Sequence, residues 1–148
     1  FTFNYSNFIG TDQPDSLHSI RTFHNVFMQF LPARQLGLIF SFDIGTDKYN
    51  LKEYGIWYSP VLILRYPLNE KSAIAIRGEY YADKHQILVA TNSLNGFQVS
   101  GISANVDYKI NRNAIFRMEG KMYNSKDRIF ANASTGNFSL TTTMSIKF

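Results

Sequence analysis

Charged and polar side chains set two residues apart carry most of the chemical content of this sequence. Arg77 and Glu79 stand in that relation, as do Arg117, Glu119 and Lys121, and Asn105 and Asp107. In an extended chain, residues two apart project from the same face, so each set places a short row of charge on one surface. Asp43 and Arg65 fall on the equivalent face of their own segments. These nine positions fit two chemistries. They could line a water-filled passage and set its selectivity for ions or solutes, or they could neutralise one another and fill a narrow interior. Mixed sign favours the neutralising network for any single residue. Alanine, valine or isoleucine would do neither.

Other chemistries find little support. The chain has no cysteine, which excludes disulfides and thiolate zinc sites. His18, His24 and His85 show no metal-ligand spacing and read as exposed or interfacial. His24 beside Asn25, and Asp83 near His85, come nearest to a hydrolytic pair, but neither has a nucleophile, base and orienting group in view. There is no glycine-rich phosphate loop. The expectation is a protein with no catalytic residues, metal or cofactor. The net charge of +4 is scattered along the chain without a block of like charges, so nucleic acid is not an expected partner. Asp15-Ser16-Leu17 resembles a short Bacteroidetes O-glycosylation pattern.

The elements that position the charges repeat with a period of two. Phe138, Leu140, Thr142, Met144, Ile146 and Phe148 alternate with Ser139, Thr141, Thr143, Ser145 and Lys147. Ile74, Ile76, Gly78 and Tyr80 alternate with Ala75, Arg77, Glu79 and Tyr81, and Ile102, Ala104, Val106 and Tyr108 with Ser103, Asn105 and Asp107. The segments around 26–30 and 58–65 alternate less cleanly. Eight strands are predicted near residues 1–9, 20–30, 35–45, 55–66, 72–82, 97–109, 114–123 and 137–148. Most approach the ~9–11 residues that a tilted strand needs to cross a bilayer. Mean hydropathy is −0.18, and no run nears the ~18 apolar residues of a spanning helix, but a barrel strand escapes that test because only every second residue meets lipid.

Connections of alternating length give the orientation. Residues 31–35, 67–71 and 110–113 read as short turns, and 10–19, 46–54, 83–96 and 124–136 as long polar loops. Short periplasmic turns and longer outer loops are the asymmetry of an outer-membrane meander. Phe30, Tyr66, Tyr108 and Phe148 then fall at periplasmic strand ends and Tyr58 and Tyr80 at outer ends, with Leu38, Leu62, Ile76 and Ala104 between. Aromatic side chains favour both interfaces, so two girdles flank an aliphatic band. The nine charged and polar positions face inward. Counting back from the 110–113 turn places Asn105 across from Arg117. A soluble barrel of lipocalin type would share the alternation with its apolar set inward; strand length, loop asymmetry and the girdles argue against it.

The last residues, Thr141 to Phe148, resemble the terminal β-signal of outer-membrane proteins, with Met144, Ile146 and Phe148 on one face. That resemblance implies recognition by the β-barrel assembly machinery. Two longer stretches, Gly55-Ile56-Trp57-Tyr58-Ser59-Pro60-Val61-Leu62-Ile63-Leu64-Arg65-Tyr66 and Ile76-Arg77-Gly78-Glu79-Tyr80-Tyr81-Ala82-Asp83-Lys84, resemble the C-terminal part of the OmpL-like β-barrel porins found in Bacteroidetes. Asn95-Gly96-Phe97, Arg117-Met118-Glu119-Gly120 and Asn124-Ser125-Lys126-Asp127 fit the same family. Its members are longer, so the resemblance implies that 1–148 is one domain forming the C-terminal half of a larger barrel, consistent with a chain that opens in mid-pattern at Phe1, Phe3 and Tyr5. The expectation is an all-β, antiparallel, up-and-down transmembrane barrel in a bacterial outer membrane, acting as a porin-like channel for small solutes or ions. Its partners would be the lipid bilayer, the assembly machinery, and a second copy or other envelope proteins. A closed eight-stranded structural or adhesive barrel, and a fragment caught as a client of the assembly machinery, are the alternatives.

Overall fold

A computed structural model describes residues 1–11, 19–33, 35–50 and 52–148. His18, Asp15, Ser16 and Leu17 lie outside the described residues. The fold is one antiparallel sheet of eight strands in sequence order: β1 (Thr2–Gly10), β2 (Arg21–Ala33), β3 (Leu36–Lys48), β4 (Tyr54–Pro67), β5 (Ser72–Asp83), β6 (Phe97–Lys109), β7 (Ala114–Ser125) and β8 (Gly136–Ile146). Every strand pairs with the next. Among the described residues β1 and β8 do not pair with each other, so the sheet is not closed.

All eight expected strands are present, and several run further than the periodicity predicted. The connection expected at 46–54 shrinks to 49–53, because Thr46, Asp47 and Lys48 still pair with Ile56, Gly55 and Tyr54. That turn is closed by the Asn50 side chain, whose Oδ1 accepts the backbone N–H groups of Lys52 and Glu53 at 2.9 and 2.8 Å. An Asx-type turn competes well with a longer loop because it satisfies those donors locally. Among the described residues the loop asymmetry therefore rests on 84–96 and 126–135.

The two faces of the sheet differ in burial. Along β5 and β6, Ala75 is 8 % exposed and Ser103 5 %, whereas their neighbours Ile76 and Ile102 are 51 % and 54 % exposed. Side chains from strands two apart also meet on the first face: Arg65 of β4 reaches Asp107 of β6, and Lys121 of β7 reaches Glu79 of β5. The sheet thus curls around the face carrying the charges, and the aliphatic set forms the convex face. Phe42, Tyr58 and Tyr80 lie in a row on the convex face near the long-loop end, with ring centroids 6.5 and 6.0 Å apart. Phe30, Tyr66 and Tyr108 are exposed on the same face near the short-turn end.

Pro60 sits inside β4, in the middle of the sheet, where a missing N–H usually excludes it. It pairs with Phe42 on the β3 side, but on the β5 side the pairing lapses between Tyr58–Ala82 and Val61–Glu79. Ser59 and Tyr81 face each other across that lapse.

Candidate functional site

The nine charged and polar positions all fall on the concave face, where they form linked groups. Arg117 donates to Asp107 through Nε at 2.6 Å and through its second guanidinium nitrogen at 3.0 Å. Asn105 donates to the same carboxylate at 3.0 Å, and Arg65 lies 3.7 Å away. The planar fork of a guanidinium suits a carboxylate held this way. Asp107 is therefore buried between two hydrogen-bond donors and a third cationic neighbour. Directly paired with Arg117 is Asp107, while Asn105 pairs with Glu119. The count from the turn was out by two residues. Ile110 N–H closes onto the Ala114 carbonyl at 3.0 Å, which moves the centre of the turn one residue later and brings opposite charges together.

A second group is centred on Glu79, which pairs with Arg77 on its own strand. Lys121 bridges it to Glu119, lying 3.9 Å from Glu79 and 3.8 Å from Glu119. Asp43, nearer the long-loop end, accepts from Asn25 at 2.6 Å. Arg21 clamps Asp47 with two bonds of 2.8 and 2.6 Å, and Ser19 adds a third at 2.9 Å. Arg21, Asn25 and Asp47 belong to the concave face although sequence spacing did not single them out.

Above the charged belt, toward the long loops, the concave face carries aromatic rings that the periodicity did not single out. Phe8, Phe23, Gly45 and Trp57 occupy directly paired positions on four successive strands. Phe23 and Trp57 are 5.7 Å apart and 15° from parallel; Trp57 and Tyr81 are 6.0 Å apart and 17° from parallel. Phe97 meets Tyr81 edge-on at 5.4 Å. Further along, Phe130 from the last long loop stands beside Tyr123, with ring centroids 6.5 Å apart and the planes 20° from parallel.

Two glycines make this possible. A Cβ on Gly45 would stand 2.6 Å from the Trp57 indole, and a Cβ on Gly101 would stand 2.6 Å from the Tyr123 ring. Both rings lie down over the bare backbone of a neighbouring strand. Gly45→Ala is accordingly expected to lift the indole away from Phe23 and to cost about 1–3 kcal/mol, the usual penalty for overpacking a filled site. Tryptophan emission compared between the two proteins, with unfolding followed in parallel, checks both effects.

The loops over this end are internally pinned. The carboxylate of Asp83, fully buried, accepts the N–H groups of Ile87, Leu88 and Val89 at 2.8, 2.7 and 3.1 Å. His85 stacks on Tyr49 with centroids 4.3 Å apart. Asp83 and His85 are thus each engaged separately, and His24 accepts or shares a 2.7 Å bond with the Tyr5 hydroxyl on the convex face. Asp127 ties the last two long loops together by accepting from the Asn95 side chain and backbone, both at 2.9 Å. Those bonds, the side-chain one foremost, hold its carboxyl below the usual carboxylate range. A carboxylate with a depressed folded value contributes its tie above the unfolded value and loses it as pH falls through the folded one. Amide hydrogen exchange at Asn95, corrected for intrinsic rate, should therefore quicken under acid conditions, and Asp127→Asn should show weaker protection already at neutral pH.

Met144 and Ile146 sit exposed on the convex side of β8, and Phe148 is fully exposed just beyond the strand. Residues 1–148 match the family model described as "Putative beta-barrel porin-2, OmpL-like". No curated protein and no solved structure matches the chain.

Proposed function

The chain belongs to the OmpL-like family described as putative beta-barrel porin-2, and on that premise we propose that it forms part of the wall of an outer-membrane channel passing small solutes or ions by diffusion. The observation that carries this reading is the division of the two faces. Eight of the nine polar positions bear charge, four acidic and four basic, and all nine lie on the concave side. Exposed aliphatic and aromatic residues cover the convex side. Lipid tolerates the second set and excludes the first, so the concave side becomes the lumen. No enzymatic role is assigned to it.

Strand length supports the same reading. β2 to β7 run for 12 to 14 residues, enough to cross the hydrocarbon layer at a tilt and continue into the interfaces. In lipid the free edges of β1 and β8 would leave backbone donors and acceptors without water. Further strands covering those edges would make a barrel wider than eight, whereas eight strands closed on themselves leave an interior that side chains just fill. In this reading Met144, Ile146 and Phe148 serve as the terminal signal presented to the assembly machinery, where an unpaired strand edge can be templated.

The test is made on the mature protein purified from outer membranes. An intact mass well above the 17.0 kDa of this chain, together with stepwise conductance in a planar bilayer, supports a wide barrel. A mass near that value and a silent bilayer would return the reading to a small closed barrel.

A further inference from the structure

The aromatic rings on the concave face are arranged in a way that a charged pore lining does not require. A ring that only fills space buries its faces between neighbours. Trp57 and Tyr123 instead lie flat against the sheet over Gly45 and Gly101, which turns one π-face of each toward the concave side. Both side chains remain half-buried. Between Tyr123 and Tyr81 the wall opens into a pocket of about 330 Å³, lined also by Phe97, Phe130, Ser59 and Glu79. It lies beside the lapse in β4–β5 pairing at Pro60. Its size falls within the range of about 300–1,000 Å³ of small-molecule sites, which combine apolar walls with a few placed polar groups.

We infer that this pocket and the ring row leading from it bind sugar rings, so that the channel takes neutral saccharides as its preferred solutes. The inference deepens the channel reading and rests on it. A pyranose has an apolar face of C–H groups, slightly positive, and a rim of hydroxyls. The C–H face suits the negative face of an aromatic ring. The hydroxyl rim needs hydrogen-bond acceptors at the edge of the same pocket, and Glu79 and Ser59 stand there. Glu79 is already neutralised by Arg77 and Lys121, so the pocket offers acceptors without a net charge that would select a cation. A purely apolar solute would leave the carboxylate edge unused. Phe23, Trp57 and Tyr81 continue the surface sideways at spacings of 5.7 and 6.0 Å, which suits a chain of rings better than a single one.

The test uses the full-length protein purified from outer membranes, with ion current measured in a planar bilayer and ligand binding measured by calorimetry on the same preparation in detergent. The probes are maltotriose, cellotriose and chitotriose, with adenosine monophosphate for comparison. At least one saccharide should block the current in a saturable way and bind in detergent. Tyr123→Ala should raise its half-blocking concentration about tenfold, the loss expected when one stacking ring is removed, and Tyr123→Phe should restore the original value because it keeps the face. Ser59→Phe, which fills the pocket from the opposite wall, should weaken binding as well; circular dichroism confirms that each variant is assembled. A conducting protein that no saccharide blocks or binds overturns the sugar site and leaves the channel standing. A saccharide that binds in detergent to a protein with no conductance overturns the channel and leaves the site. Tighter block by the nucleotide than by any saccharide, or equal block in Tyr123→Ala, also overturns the sugar assignment.

Discussion

Replacing Asp107 by alanine is expected to move the selectivity of the reconstituted channel toward anions more than any other single change on the concave face. Asp107 accepts hydrogen bonds from Arg117 and Asn105 and is the ion-pair partner of Arg65. Without it two guanidinium groups keep their charge and lose their counter-charge. One uncompensated positive charge ~10 Å from the path raises a permeating cation and lowers an anion by about 0.4 kcal/mol each in water and about 1.7 kcal/mol each at an effective dielectric near 20, so the cation-to-anion permeability ratio should fall by about fourfold to a few hundredfold. Removing one partner of a fully buried pair would cost ~3–5 kcal/mol. Both arginine side chains are half exposed and can turn to water, so about 1–2 kcal/mol is the expected loss here. Asp107→Asn keeps the shape and one acceptor, and should shift selectivity while costing less stability. Reversal potentials in a salt gradient provide the measurement. Unchanged potentials in two well-assembled variants would mean that the cluster is filler and does not line the path.

The charged belt was legible in the sequence because it obeys a single rule. Charges two apart within one segment must share a face, and Arg77 with Glu79, or Arg117 with Glu119, needed no knowledge of neighbouring strands. Which charge meets which across strands was less accessible. Pairing across β6 and β7 depends on where the turn closes, and a shift of its centre by one residue moved the partner of Arg117 from Asn105 to Asp107. Register is set by turn geometry as well as by pattern. Local alternation does not report it.

The aromatic row stayed hidden for a related reason. Phe23, Trp57, Tyr81 and Tyr123 stand among polar neighbours on the inward face, where each looks like a lapse in the alternation. Their meaning depends on the residue beside them on the next strand. Trp57 is directly paired with Gly45, and Tyr123 with Gly101, and a ring that covers a glycine across a strand pair is a recognised device of β-sheets. The signal was present, but it spans 12 residues in one case and 22 in the other, and only the register joins its halves. Pro60 lies inside the strand expected at 55–66, which is present as β4. Within its own segment it spoils a central strand, and only the intact pairing on the β3 side shows how the strand continues past it.

The convex face supports the second large prediction. Ile76 lies near mid-strand, half exposed, with Leu64 and Ala104 directly paired on either side. If that surface meets hydrocarbon, Ile76→Arg should destabilise the protein in lipid by ~2–4 kcal/mol, the cost of arginine at the midplane. Tyr66→Arg, nearer the short-turn end, should cost less, about 0–1 kcal/mol of the charge penalty, because the side chain can reach the interface. A convex face in water predicts a different order. There an exposed Ile76 would face water, and its replacement by arginine would change stability by no more than about 0.5 kcal/mol. Equilibrium unfolding in phospholipid vesicles, compared at the two positions, separates the cases. A penalty that falls from mid-strand to strand end is the signature of a bilayer, and equal small effects at both positions would remove lipid from the account of this face.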